Sequence, residues 1–165
     1  ELTNAQRKML SHYDNATLYN DSIVAQIVKR FQKQDAIVIY VPDHGEECYE
    51  ENRGFICRNH SAEIDWPLAH YEFEIPFWIY CSPKYIRNHR DIYRQIRKAK
   101  DKRFMTDALP HLLLYLAGIE TPTYKEEYNI LSPKYDEMRP RILKNSADYD
   151  KLRDAHLEKI KKEKK

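Results

Sequence analysis

Apolar residues recur along the chain with two different periods, and the alternation between them predicts the elements. From Asp14 or Asn15, either of which can cap a helix, Tyr19, Ile23, Val24, Ile27, Val28 and Phe31 fall on one 3.6-residue stripe. Lys29, Arg30 and Lys33 suit the negative end of that helix's dipole. Ala36 to Val41 then run without a polar position, the pattern of a strand covered on both faces. A second such strand is expected from Ile75 to Cys81, with Pro76 confining it to a strand start or an edge. A polar helix rich in Tyr and Arg is expected from about Pro83 to Ala99. The best-signed helix follows: Thr106 or Asp107 as cap, Pro110 in the first turn, Gly118 as the left-handed stop. Ser146 to Lys165 carries Tyr149, Leu152, His156 and Ile160 on one stripe amid charges, which predicts a surface helix.

Two stretches show no such pattern. Residues 42–74 offer no convincing helix or strand, and a loop this long inside a domain is usually functional or disordered. The segment after Thr121 is irregular and rich in Pro and Tyr. Helix and buried strand in succession indicate an α/β fold with a mainly parallel sheet and flanking helices. No internal repeat is present.

Composition narrows the class. The 165 residues suit one domain, and 42% hydrophobic with 33% charged residues is the balance of a globular chain. The longest apolar run, Leu112 to Gly118, is far short of the ~20 residues that span a bilayer. The opening "ELTNAQRKML" is polar and charged, unlike a signal peptide, and a start on Glu suits a mature product or an excised piece. A net charge of +2, with both signs interleaved along most of the sequence, argues against a nucleic-acid partner. Three cysteines, Cys48, Cys57 and Cys81, make no self-contained disulfide framework. Cys48 and Cys57 flank one loop; a bridge between them and reduced, buried thiols stay equally open.

The chemistry gathers where the first strand ends, at Asp43-His44-Gly45-Glu46. In open α/β sheets ligands collect at the carboxyl ends of strands. A carboxylate and an imidazole are typical ligands for Zn or Mn. Gly45 allows a close backbone approach or a positive φ. Glu46 offers a further ligand or an acceptor that orients a histidine. An ordinary polar turn accounts for the same four residues about as well on spacing alone.

Four ordered stretches tip that balance. "YDNATLYND" at 13–21, "VIYVPDHGE" at 38–46, "IPFWIY" at 75–80 and "TDALPHLLLYLAGI" at 106–119 together resemble the sulfatase-like phosphoethanolamine transferases of the alkaline phosphatase superfamily. The resemblance covers roughly residues 10–143, in order, with Pro42 in place of the family's Ser. It implies a partial alkaline-phosphatase-like fold, with residues 1–145 as the C-terminal part of a catalytic domain and 146–165 as a charged surface helix. It implies a divalent metal, zinc or manganese, held by a Glu, a nucleophilic Thr and the Asp and His that match Asp43 and His44. His60 matches the family's phosphate-facing histidine, with His70 as the rival.

The resemblance further implies a phospholipid donor and a lipopolysaccharide, lipid A or related glycan acceptor. The protein would act as a monomer, with its catalytic domain on the periplasmic side of a bacterial inner membrane. The metal-binding Glu, the nucleophilic Thr and the membrane helices have no match in this chain. It is therefore expected to bind metal weakly and to be inactive alone, with a poorly ordered loop from Glu47 to His70. A sulfatase, a phosphoglycerol transferase, or a binding module that kept the fold and lost the nucleophile would carry the same motif. Elsewhere, His12, His89 and His156 read as surface residues and His111 as a partner for a backbone carbonyl. Most of the 13 tyrosines read as core rims. Arg139 and Arg141 read as a solvated loop sooner than a phosphate site, and the lysines from Lys159 as a solvated tail sooner than a membrane contact.

Overall fold

A computed structural model describes residues 1–57 and 63–164, with the strand at 55–57 and residue 52 described by backbone alone. Helix α1 spans Asn4–Phe31 and starts well before the expected cap. Thr3 caps it in a reciprocal box: the Gln6 amide donates to the Thr3 hydroxyl, and the Thr3 amide to the Gln6 side chain at 2.8 Å. Asp14 and Asn15 lie inside the helix. No residue of α1 is buried, and its stripe of Ile23, Ile27 and Phe31 stays partly open.

Strand β1 (Ile37–Tyr40) pairs with the strand at Trp78–Cys81, and the pair is antiparallel, with Ile37 opposite Cys81 and Tyr40 opposite Trp78. The expectation of a mainly parallel sheet is not met among the described residues, where all three strand pairs are antiparallel. The return path explains it. After β1 the chain makes a short hairpin, β2 (Glu47–Cys48) with β3 (Phe55–Cys57), then helix α2 (Trp66–Phe73). The last turn of α2 lies against Gly45, just beyond the carboxyl end of β1, where the Gly45 amide donates to the Glu72 carbonyl at 2.8 Å. The chain therefore enters β4 (Trp78–Cys81) from that same end and must run back along β1. Both strands are half-buried and not enclosed, since a two-stranded ribbon leaves two edges uncovered.

The stretch 42–74, expected to be featureless, holds that hairpin and α2. Asp65 caps α2 through the Leu68 amide at 3.0 Å and Pro67 occupies its first turn, a start signal obscured by the helix's short length. The described parts of 47–70 are thus built into the fold. In the hairpin Glu47 stands opposite Cys57, whose side chain lies outside the description, and so does any Cys48–Cys57 bridge.

Ser82, fully buried, ties the ribbon's other end. Its hydroxyl donates to the Gln34 carbonyl at 2.6 Å and accepts from the amides of Ala36 and Tyr85, capping α3 (Pro83–Asn88). His89 leaves helical geometry (φ −125°, ψ 49°), so the single helix expected over 83–99 is two, α3 and α4 (Arg90–Ala99). Helix α5 (Leu109–Ala117) follows a 3-10 turn at Thr106–Ala108 and stops at Gly118 (φ 66°), as expected. Ile92, Ile96 and Ala99 of α4 pack with Ile79, Leu112 and Ile130 in one core. A second core joins Leu68 and Ala69 of α2 to Leu143, Tyr149 and Leu152.

Those last residues belong to the hairpin β5 (Ile142–Leu143) with β6 (Ala147–Asp148), whose turn contains residue 145, and to α6 (Tyr149–Glu163). Asp150 anchors this segment. Its carboxylate takes Arg141 at 2.6 Å, Arg103, and Arg153 at 3.3 Å. Hydrogen bonds from Arg141, with the Arg103 and Arg153 charges, hold Asp150 below the usual carboxylate range. Arg139 does likewise for Asp107 through a fork at 2.6 and 2.7 Å. Arg139 and Arg141 are therefore structural clasps, neither solvated nor held out for phosphate.

A depressed folded pKa gives stability that is complete above the ordinary carboxylate range and is lost as pH falls through the folded value. Asp150→Asn should lower stability near neutral pH by roughly 2 kcal/mol, the scale of hydrogen bonds to a charged group. Thermal melts should show the gap to the parent closing below about pH 4. An equal gap at both pH values would mean that the shape of Asp150, and not its charge, matters.

Candidate metal site

Val41 and Pro42 carry the chain off the end of β1, and Asp43 and His44 follow at once. The His44 amide donates to Asp43 Oδ1 at 3.1 Å, so the loop orients its own carboxylate. His44 Nδ1 lies 2.7 Å from the Gly45 carbonyl oxygen. A carbonyl only accepts, so Nδ1 is the ring nitrogen that donates here. The other nitrogen, Nε2, faces Asp43 Oδ2 at 3.5 Å. An imidazole nitrogen and a carboxylate oxygen thus stand close together at the strand end.

Asp43 and His44 would hold a divalent cation between them, the carboxylate supplying charge and the imidazole a nitrogen ligand. Burial also suits a site built from one side, since the Asp43 side chain is 84% exposed and that of His44 only 22%. Among the described residues no group of three or more His, Cys, Asp or Glu assembles around the pair. Glu46 is half-buried beside it, and His44 Nδ1 is held by the Gly45 carbonyl.

Gly45 serves by close approach, not by positive φ. A Cβ at this position would stand 2.2 Å from the Tyr71 carbonyl oxygen. Beyond it, Glu47 is fully buried, with Oε1 2.5 Å from Arg53 Nε, and Arg53 also reaches Asp65 Oδ2 at 2.5 Å. Burial pushes the Glu47 carboxyl up, against the pull of Arg53. Glu47 thereby links the start of the hairpin to the cap of α2.

Of the residues singled out from the sequence, Asp43 and His44 come together, and His60 lies outside the described residues. His70, its rival, has Nδ1 2.9 Å from Glu74 Oε1 and stacks on Trp66 at 5.4 Å, within the α2–α6 packing. His156 stacks on the same Trp66 at 5.2 Å and is half-buried, not fully solvated as expected. His111 Nδ1 accepts from the Lys125 amide at 3.1 Å, a backbone N–H where a carbonyl was expected. Tyr13 is the addition. Burial, reinforced by Cys48 and Glu46, pushes its hydroxyl up, which places the Tyr-Asp-Asn turn of α1 beside the motif loop. The triplet was legible as a motif, but its first residue carried no signal of this proximity.

The Sulfatase family model matches residues 1–119. The phosphoethanolamine transferase EptC of Escherichia coli O18:K1:H7 is 32% identical over 148 residues, 85% of this chain and 24% of that protein. The Kdo(2)-lipid A phosphoethanolamine 7''-transferase of Escherichia coli K12 is 31% identical over 58% of this chain and 16% of its own. The crystal structure of the C-terminal periplasmic domain of Escherichia coli EptC superposes with a TM-score of 0.73 at 27% identity, over 92% of this chain and 43% of that one. The same domain in complex with Zn gives the same values. The chain thus spans about a quarter of the length of its EptC relative.

Gly45→Ala tests the close approach. A Cβ against the Tyr71 carbonyl forces backbone movement, and overpacking of this kind costs about 1–3 kcal/mol. The melting temperature should fall, and zinc affinity with it, because the carbonyl that orients His44 belongs to residue 45. Parental values for both would show that the approach constrains nothing.

Proposed function

The chain belongs to the sulfatase family, and from that premise we propose that it is part of the catalytic domain of a metal-dependent phosphoethanolamine transferase. In this reading Asp43 and His44 are two ligands of a divalent metal, zinc before manganese, and His60 faces the transferred phosphate. The donor is a phospholipid and the acceptor a lipopolysaccharide, lipid A or related glycan. The domain works as a monomer on the periplasmic side of a bacterial inner membrane, with residues 1–145 in the catalytic body and 146–165 as its closing helix. The names of the similar proteins favour a transferase over a sulfatase.

One observation carries the proposal: His44 Nε2 and Asp43 Oδ2 stand 3.5 Å apart with His44 Nδ1 held by its neighbour's carbonyl. A bound divalent metal supplies positive charge for a phosphoryl group and lowers the pKa of a hydroxyl nucleophile. The chain's own part is to hold the two ligands in place. The Gly45 carbonyl accepts from Nδ1, which leaves Nε2 as the nitrogen that would meet a metal. The Asp43 carboxylate, oriented by the His44 amide, brings the negative charge. Rigid placement at a strand end limits the entropy lost when both are fixed.

Zinc titration calorimetry on the complete gene product tests this. Asp43→Ala and His44→Ala together should weaken binding at least ~100-fold, beyond the 10–100-fold typical of outer-shell partners. Tight binding that survives the double substitution would end the assignment.

A further inference from the structure

Residues 83–103 hold nine Lys or Arg against two acidic residues, in a chain whose net charge is only +2. The remainder is therefore net acidic, and the positive charge is concentrated on α3, α4 and the turn after them. At 100° per residue Arg90, Arg94, Arg97 and Lys98 share one arc of α4, opposite Ile92, Ile96 and Ala99, which are packed into the core. Lys84 and Arg87 extend the arc onto α3, and all six side chains are exposed. Arg94 pairs with Asp91. Among the described residues Lys84, Arg87, Arg90, Arg97 and Lys98 have no ion-pair partner. Five unneutralised cations on one face raise the local potential and disfavour one another, so a counter-surface would relieve them.

We propose that this face docks on an anionic lipid bilayer. The choice of a bilayer rests on the transferase reading above, in which the donor is a phospholipid. The geometry supports it independently. Helix α3 begins beyond the end of β4 that lies opposite Ile37, away from the metal pair, and Phe104, just past α4, stacks on Phe77 at 5.0 Å near the other end. Helix α4, roughly 15 Å long, therefore runs along the flank toward the end that carries Asp43 and His44. A flat anionic surface against this flank leaves that end uncovered at its margin. The apolar side of α4 is committed to the core, so the helix cannot roll into the hydrocarbon. The contact is peripheral and electrostatic, and it weakens as salt shortens the Debye length below ~10 Å.

Sedimentation with phosphatidylethanolamine vesicles, with or without phosphatidylglycerol, tests the proposal on this chain. Binding should require phosphatidylglycerol and fall steeply with added salt. Replacing Lys84, Arg87, Arg90, Arg97 and Lys98 together by Gln should weaken it at least ~100-fold, given about fivefold for each cation at a membrane surface. Replacing Lys159, Lys161, Lys162 and Lys164 by Gln should leave binding near the parent's, and circular dichroism melts verify that both variants fold. Equal losses from both variants, binding without phosphatidylglycerol, or no binding by the folded parent would overturn it. So would preference for a polynucleotide over the vesicles at equal charge. Zinc titration reads the metal pair alone, so failure of this face and failure of the transferase reading are distinguishable.

Discussion

A single backbone contact organises the candidate site: the last turn of α2 lies directly against Gly45. The Gly45 amide donates to the Glu72 carbonyl, and the Tyr71 carbonyl occupies the space that a side chain would need. The same glycine's carbonyl holds His44 Nδ1. One residue thus has its amide spoken for by a helix and its carbonyl by an imidazole. The imidazole inherits the position of the helix. This is how a loop after a short strand acquires the rigidity that a metal ligand would require.

The same contact sets the topology of the ribbon. Because α2 ends at the carboxyl side of β1, the following strand starts there, and antiparallel pairing is the only direction left to it. The apolar runs at 36–41 and 75–81 were legible as strands because nothing polar interrupts them. Their relative direction was not, since an apolar run carries no information about where the intervening chain ends. The helix behind the antiparallel choice spans only eight residues and lies in a stretch without visible periodicity. Its signals, Asp65 as cap and Pro67 in the first turn, were present but too local to outweigh a missing stripe. The start of α1 was missed for a related reason: Thr3 and Gln6 form the capping box, while Asp14 and Asn15 are better caps by type but lie within the helix.

For the site, residue type and position at a strand end made Asp43 and His44 candidates, and the ordered stretches of the family resemblance tipped the balance away from an ordinary polar turn. The orienting group could not be read. Sequence favours side chains as partners, so Glu46 stood out, whereas the group that binds His44 Nδ1 is a main-chain carbonyl that every residue possesses. The arginines at 139 and 141 show the converse. Near a proline in a Tyr-rich loop they resembled free cations, yet each has an acidic partner far along or at a turn's remove, at Asp107 and Asp150. Only the fold brings those charges together.

That clasp bears on the site through a continuous set of contacts. Asp150 gathers Arg103, Arg141 and Arg153 at the first turn of α6, and the Arg141 guanidinium also covers the Tyr149 ring at 4.2 Å from its centroid. The Tyr149 hydroxyl donates to Glu74, the residue that ends α2, and burial together with that carboxylate pushes the phenol up to about 12. The Tyr149 ring meets Trp66, the first residue of α2. Helix α2 is therefore gripped at both ends by one tyrosine, and its last turn is the surface on which Gly45 rests. These pairs are only partly exposed, so solvent screens them incompletely. Joined through Asp150 they restrain a short helix, and the orientation of His44 depends on that helix staying in place. The last segment of the chain, remote in sequence from the metal pair, is on this physical account a part of what positions it.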